Sequence, residues 1–352
     1  MSGIRFVHVD HLRLASPVTG LDAAPEWLRR QARDASRQTV INLCDLAQNR
    51  DVDFVLIAGR LAESADDIPR VLAWLREPLG QLRRRGIKVA ITADDWLDSV
   101  DVSEVCDVVI RSGERLDADR QDAEIRLDAL PAGRTGTADV TVGFRCDSGS
   151  GATSACHYLI SPAVHRRVMS EFGGDKVYSA GALQALHPNE EGPFGCLLVD
   201  TDPGTGRTEV TFEATDVLRF ATETIRDAEV HTADDVSSAV LSASQPLARM
   251  QTGTLIVDWR IERDVKCSSS IADFSPAEML HSVRNAMQKG YLGVWPRRVD
   301  VVPRDIELLH DDMAASLLEL ASVLSADAAA VHSLERTHLA ELAKGAQLLR
   351  AA

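Results

Sequence analysis

Hydrophobic residues follow two alternating patterns along the first hundred positions. Short, mostly apolar runs at 4–9, 52–59 and 87–92 are typical of strands buried in a sheet. Between these runs, at 25–49 and 65–86, apolar residues recur every three or four positions, as on one face of a helix. This order predicts an α/β core with a largely parallel sheet. Folds of this class place their chemistry at the carboxyl ends of the strands.

Beyond residue 100 the pattern becomes rich in strands. Apolar and β-branched runs occur at 105–112, 138–146, 156–161, 194–202 and 207–215. The sequence PGTG between the last two runs predicts a hairpin turn. Together these runs predict a two-sheet β-sandwich that is flanked by the helices.

The remainder of the chain predicts two smaller parts. A strand, a helix and a strand are expected between 253 and 303, where Ser275 and Glu278 form a capping-box pattern at the start of the helix. From 304 onward we expect two Ala/Leu-rich amphipathic helices, which either pack on their own domain or receive the coiled coil of a partner. The middle part would be a small α/β domain, and the predicted domains are 1–235, 236–303 and 304–352.

Composition and charge narrow the functional classes. Of the 352 residues, 45% are hydrophobic and 26% are charged, which is ordinary for a globular protein. No apolar run is long enough to cross a bilayer and no signal-peptide pattern is present, so we expect a cytoplasmic protein without membrane contact. The six cysteines form no C-x-x-C pair, which argues against a zinc site. A net charge of −15 argues against strong DNA binding by this chain alone.

The loop after the first strand contains imidazole and carboxylate groups, as metal sites do. Its sequence, FVHVDHLRLASP at 6–17, resembles the stretch F-I-H-T-A-D-L-H-L-D-S-P of the calcineurin-like metallophosphoesterases. VDFVLIAGRL at 52–61 and GIKVAITADDWL at 86–97 resemble that family's V-D-F-V-L-I-A-G-D-L and G-I-P-V-x-x-I-x-G-N-H-D. Within the superfamily, the resemblance is greatest to the SbcD/YhaO-type subunits of bacterial DNA-repair exonuclease complexes.

Three stretches further along the chain resemble the same family: VGFRC (142–146), HYLISPAVHRRV (157–168) and VYSAGALQALHPNEEGPFGCLLVDTD (177–202). The whole resemblance covers roughly residues 4–215. The resemblance implies a metallophosphoesterase-like sandwich, a small α/β capping domain, and C-terminal helices that grip the coiled coil of an SbcC-like, SMC-type ATPase. It also implies a homodimer, or a heterodimer with a paralogue, and contact with DNA only through the complex.

Position by position, the family's metal ligands are largely replaced in this chain. The positions that correspond to its ligands and its general acid are His11, Arg13, Arg60, Asp95, Trp96, Arg145, Ala163 and His165. Arg60 stands where the bridging aspartate would be, and an arginine has no lone pair to give to a metal. We therefore predict no dinuclear centre, no catalytic residues and no cofactor. A single weak manganese site formed by His11, Asp95 and His165 is the alternative.

Two hypotheses describe what Arg13, Arg60 and Arg145 do instead. They either pair with carboxylates near them in sequence, such as Asp10, or bind an anion such as a phosphate. We predict a catalytically inactive homologue of a nuclease subunit, which acts as a structural or regulatory component of an SMC-like ATPase complex in DNA repair or DNA-directed defence. The competing prediction is a metal-dependent phosphodiesterase or DNA exonuclease with a rearranged single-metal site.

Overall fold

The strand–helix alternation predicted for the first hundred residues is present in the fold. The structure, a computed structural model, describes residues 3–92, 100–110, 114–118, 123–130, 140–145, 158–160, 166–172, 175–202, 204–226, 232–249, 253–263, 275–288 and 293–303. Its α-helices are α1 (Glu26–Asn49), α2 (Ile68–Arg84), α3 (Ala233–Arg249) and α4 (Pro276–Gln288).

The strands fall into three sheets. In chain order they are β1 (Ile4–Val9), β2 (Phe54–Ile57), β3 (Lys88–Thr92), β4 (Val108–Ile110), β5 (Glu114–Ala118), β6 (Ala123–Leu130), β7 (Val140–Arg145), β8 (Tyr158–Ile160), β9 (Val168–Phe172), β10 (Asp175–Ser179), β11 (Gly195–Asp202), β12 (Arg207–Ala214), β13 (Leu218–Arg226), β14 (Thr254–Arg263) and β15 (Val294–Pro303). The sheet orders are β12-β11-β1-β2-β3-β4, β5-β6-β7-β8-β10-β9 and β13-β14-β15.

The central strands of the first sheet are buried on both faces, which explains their mostly apolar sequences. β1 to β4 pair in parallel, and β11 joins β1 antiparallel. On one face Val7, Val55 and Ile57 belong to a core cluster with residues of α1 and α2. On the other face Phe6 and Phe54 stack on each other, with ring centroids 4.5 Å apart. Because successive side chains of a strand point to opposite faces, each strand contributes to two cores.

The second sheet shares a core with the first. Tyr158 and Ile160 of β8 and Ala180 after β10 belong to the same buried cluster as Phe6 and Phe54. The ring of Tyr158 meets Phe6 edge-on at 5.4 Å. The apolar faces of the two sheets are therefore covered in part by each other's side chains.

The described residues form two compact units. The first contains those within 3–221, 247–257 and 293–297, and the second contains those within 222–246, 258–292 and 298–303. In the second unit the capping box is confirmed, because the Glu278 N–H donates to Ser275 Oγ at 3.3 Å and the Ser275 N–H donates to Glu278 Oε2 at 3.0 Å.

The helices predicted at 25–49 and 65–86 are confirmed as α1 and α2, and the predicted hairpin joins β11 to β12. The sequence pattern missed β5, β6, β9, β10 and β13. The C-terminal helices expected from 304 onward lie outside the described residues. Within the described part of the chain, no helix combines the length and apolar character needed to cross a bilayer.

Candidate functional site

Three of the positions predicted from the sequence, His11, Arg13 and Arg60, lie shortly after the ends of β1 and β2. The loop after β1 runs beside the segment that follows β2, because the Leu12 N–H donates to the Arg60 carbonyl at 3.1 Å. The Gly59 N–H donates to Thr92 Oγ1 at 2.8 Å, which ties the end of β2 to the end of β3. As expected for a parallel sheet, the three carboxyl ends meet at one edge.

A fully buried polar network begins at the end of β1. His8 Nδ1 lies 2.9 Å from the Tyr158 hydroxyl, and His8 Nε2 lies 2.6 Å from Asp10 Oδ1. The other oxygen of Asp10 accepts hydrogen bonds from Ser179 Oγ at 2.6 Å and from the Gly181 N–H at 3.0 Å. The side chains of His8 and Asp10 have no exposed surface. We call these residues, His8, Asp10, Tyr158, Ser179 and Gly181, the Asp10 network.

One arrangement of protons satisfies the Asp10 network. An ionised Asp10 accepts from His8, Ser179 and Gly181, and so needs no water. His8 Nε2 donates to Asp10, and in the neutral form of the ring Nδ1 accepts from the Tyr158 hydroxyl. Burial, together with the charge of Asp10, raises the pKa of Tyr158 well above its ordinary value, which keeps that hydroxyl protonated.

The Asp10 network decides the role of Asp10. A one-residue slip of the first strand would have put this carboxylate at the position of His11, where the family motif has an aspartate. In the structure Phe6 pairs with Phe54, and Asp10 is buried. Its oxygens are bound by protein donors from both sheets. Asp10 therefore joins the two sheets.

Arg13 connects three loops at this edge. Its guanidinium Nε donates to Glu63 Oε1 at 3.0 Å and its Nη1 donates to Glu190 Oε1 at 2.8 Å. The backbone of Arg13 has a φ of 49°, a left-handed conformation that few side-chain-bearing residues adopt. Only 13% of the Arg13 side chain is exposed. An arginine–carboxylate pairing is thus present, but its carboxylates are glutamates that are distant in sequence, and Asp10 takes no part in it.

Glu190 is held from two sides. Its Oε2 accepts the Leu186 N–H at 2.6 Å, while Oε1 accepts from Arg13. Burial raises the pKa of Glu190, but the Leu186 hydrogen bond and the hydrogen bond and charge of Arg13 outweigh burial and hold the pKa below its ordinary value. The carboxylate is consequently ionised at neutral pH and forms a partly buried ion pair with Arg13.

His11 accepts a backbone hydrogen bond at one ring nitrogen. Its Nδ1 accepts the Arg60 N–H at 3.3 Å, so the neutral ring carries its proton on Nε2. A metal-binding histidine usually presents one bare nitrogen to the metal and donates from the other. The Arg60 side chain itself is exposed.

The described residues contain only part of the metal site considered from the sequence. No group of three or more His, Cys, Asp or Glu side chains among them is arranged to hold a metal ion. Arg145 is the last residue of β7. The remaining predicted positions lie outside the described residues; they are Asp95, Trp96, Ala163 and His165.

Sequence reasoning missed the partners that matter most at this edge. Tyr158, Ser179, Glu63 and Glu190 are brought to the site from positions 50 to 177 residues away from their partners in β1 and the loop after it. Three of them lie in the stretches 157–168 and 177–202 that resemble family motifs, whereas Glu63 lies in neither.

Comparison with known proteins gives a partial match. The metallophosphoesterase YhaO of Bacillus subtilis, named as uncharacterized, is 29% identical over 91 residues, which are 26% of this chain and 22% of that protein. The match therefore spans about a fifth of the relative's length. No family model matches the chain. The similarity supports a relationship to the metallophosphoesterase superfamily.

Two solved structures align over 60% of this chain. One is the solution structure of a Thermotoga maritima protein, with 10% identity, 99% of its length covered and a TM-score of 0.24. The other is vacuolar protein sorting 29 from Cryptosporidium parvum, with 14% identity, 97% of its length covered and a TM-score of 0.24.

Replacing Asp10 by asparagine should destabilise the fold by about 3 kcal/mol, because a buried acceptor of three donors is exchanged for a group with one oxygen and an added N–H₂. Urea denaturation measures the free energy of unfolding. Asp200→Asn is the matched control. Asp200 forms an exposed ion pair with Arg5, so its loss should cost less than about 1 kcal/mol. Equal effects of the two substitutions would contradict the role given to the Asp10 network.

Glu190→Gln should lose stability in a pH-dependent manner. The folded-state pKa of Glu190 is lowered, so its ionised form stabilises the fold above the ordinary glutamate pKa, and this contribution is lost as the pH falls through the folded-state pKa. The difference in unfolding free energy between wild type and variant should be constant down to about pH 5 and shrink below about pH 4. The control is Glu209→Gln, at an exposed position. A difference that grows on acidification would refute the assignment.

Proposed function

We propose that this chain is a non-catalytic member of the metallophosphoesterase superfamily, of the SbcD/YhaO type, in which ion pairs and hydrogen bonds hold the loops that metal ions hold in active members. The fold that we propose for the chain is a metallophosphoesterase-like two-sheet sandwich with a small α/β capping domain. The partial similarity to a Bacillus metallophosphoesterase and the order of the motifs support the superfamily. The contacts of Arg13 support the loss of metal chemistry.

The observation that carries the proposal is the position of the Arg13 guanidinium. It lies between Glu63 and Glu190, with hydrogen bonds of 3.0 and 2.8 Å, at the loop position where the family motif has a metal-binding histidine. Two-metal hydrolysis of a phosphodiester needs two cations bound by carboxylates and imidazoles. A fixed guanidinium repels a divalent cation and already occupies carboxylates at this edge.

The hydrogen bond to His11 supports the same proposal. The Arg60 N–H donates to Nδ1 of His11. A metal bound at Nε2 would require the ring proton to lie on Nδ1, where two N–H groups would then point at each other. The competing function is a phosphodiesterase or DNA exonuclease with a single metal held by His11, Asp95 and His165. The similarity to a Bacillus protein that is named a metallophosphoesterase favours that alternative.

We further propose that the chain is a structural or regulatory subunit of a complex with an SMC-like ATPase in DNA repair or DNA-directed defence. Residues 304–352 are Ala- and Leu-rich with interspersed charges, a pattern typical of helices that receive a partner helix or coiled coil. The chain would form a homodimer or pair with a paralogue. The net charge of −15 supports DNA recognition mainly through the complex.

The purified protein should not cleave DNA or bis-p-nitrophenyl phosphate faster with manganese than without it, because the loop edge carries Arg13 in place of an imidazole ligand. His165→Ala should leave this result unchanged. Cleavage is followed by product release across a manganese titration, and binding of manganese alone is followed by calorimetry. Manganese-dependent cleavage that His165→Ala abolishes would establish the single-metal enzyme instead.

The intact chain should co-purify with an SMC-like ATPase of its own organism, because the proposed contact lies in 304–352. A chain that ends at 303 should lose the ATPase while it keeps the circular dichroism and denaturation midpoint of a folded protein. The substitution Arg84→Gln, on the exposed side of α2, should keep the ATPase. Retention of the ATPase by the shortened chain would place the contact elsewhere.

A further inference from the structure

A small cavity beside the site is lined by two adjacent arginines. Arg166 and Arg167 precede β9, and the cavity of about 150 Å³ that they line has walls of Ala180, Ala182 and Phe194. Ala180 and Ala182 flank Gly181, a member of the Asp10 network. The loop that is fixed by that network therefore also forms one wall of the cavity.

Both guanidinium groups are held in place without a carboxylate. Arg166 Nη2 donates to the Asn189 carbonyl at 2.8 Å, and the guanidinium carbon of Arg167 lies 4.2 Å from the centre of the Phe212 ring. Within the part of the chain that the structure describes, neither arginine forms an ion pair. Arg13 and Arg219, by contrast, are each neutralised by carboxylates.

These contacts leave hydrogen-bond donors available. A guanidinium has five N–H groups. Arg166 donates from Nη2 to a neutral carbonyl, and Arg167 is oriented by stacking on a ring. Planar guanidinium forks bind phosphate oxygens in pairs. Glu191 also lines the cavity, so the local sum of two arginines and one glutamate is +1 in a chain whose net charge is −15.

We propose that Arg166 and Arg167 form a binding site for a phosphate group, at the edge of the cavity and separate from Arg13. The cavity is several times the volume of a liquid water molecule, about 30 Å³, and so has room for one phosphate group with its nearest water. The phosphate belongs either to the backbone of a single-stranded nucleic acid or to a free phosphate or mononucleotide. The site requires neither hydrolysis nor an ATPase partner, so it stands apart from the proposed function.

The test compares two double substitutions that remove the same charge. Arg166→Gln with Arg167→Gln removes the proposed site, and Arg84→Gln with Arg85→Gln removes two adjacent exposed arginines at the end of α2. Fluorescence anisotropy with a labelled oligothymidylate at low salt measures nucleic-acid binding. Calorimetry with inorganic phosphate and with thymidine monophosphate measures free phosphate binding. Denaturation midpoints confirm that each variant folds.

The first variant should weaken oligonucleotide binding on the order of tenfold relative to wild type, and the second should not. The slope of log affinity against log salt should fall by about 0.7, the value for one phosphate contact on a single strand. Arg166→Lys with Arg167→Lys should also weaken binding, since lysine keeps the charge but loses the planar fork.

A second outcome also supports the site, with a free phosphate as its ligand. In that outcome wild type binds phosphate or thymidine monophosphate but not the oligonucleotide, and only the first variant loses this binding. The proposal is overturned if none of the three probes binds wild type at low salt. It is equally overturned if both glutamine variants weaken binding alike, or if the lysine variant binds as wild type does.

Discussion

A carboxylate without exposed surface is stable only where donors surround it, and in this fold the donors of Asp10 come from both sheets. His8 belongs to β1 of the first sheet, while Ser179 and Gly181 belong to β10 and the loop that follows it. The desolvation of the charge is offset only when all of these groups are in place. The network therefore fixes where β1 ends, and with it the path of the loop that carries His11 and Arg13.

The same constraint extends along the loop between β10 and β11. Gly181 is bound to Asp10, Leu186 donates to Glu190, and Glu190 binds Arg13, so the loop is fastened at its start and again near its end. A guanidinium between two carboxylates can hold negatively charged loops together, as a metal ion does. It cannot take over the catalytic functions of a metal ion, since an arginine neither polarises a bound water to hydroxide nor accepts a substrate oxygen as a ligand.

Periodicity predicted the parts of this fold that are determined by local pattern. The parallel strands β1, β2 and β3 are buried on both faces, so their apolar runs are continuous and easily recognised, as are the amphipathic α1 and α2. β13 was missed because its outer half alternates exposed and half-buried polar residues, as in TETIR, and lacks a long apolar run. The contacts of Arg13 and His8 could not be predicted, since their partners Glu190 and Tyr158 are 177 and 150 residues away.

An arginine held between two carboxylates differs from a bound metal ion in what can be adjusted at this edge. A bound divalent cation exchanges with solvent and depends on its concentration, whereas a guanidinium in the chain is always present and always charged. The loop from Ala180 to Glu191 is held by contacts within the chain, with Glu190 facing Arg13 on one side and Asn189 holding Arg166 on the other. A loop held in this way presents a defined surface, which is what the structural role proposed above requires.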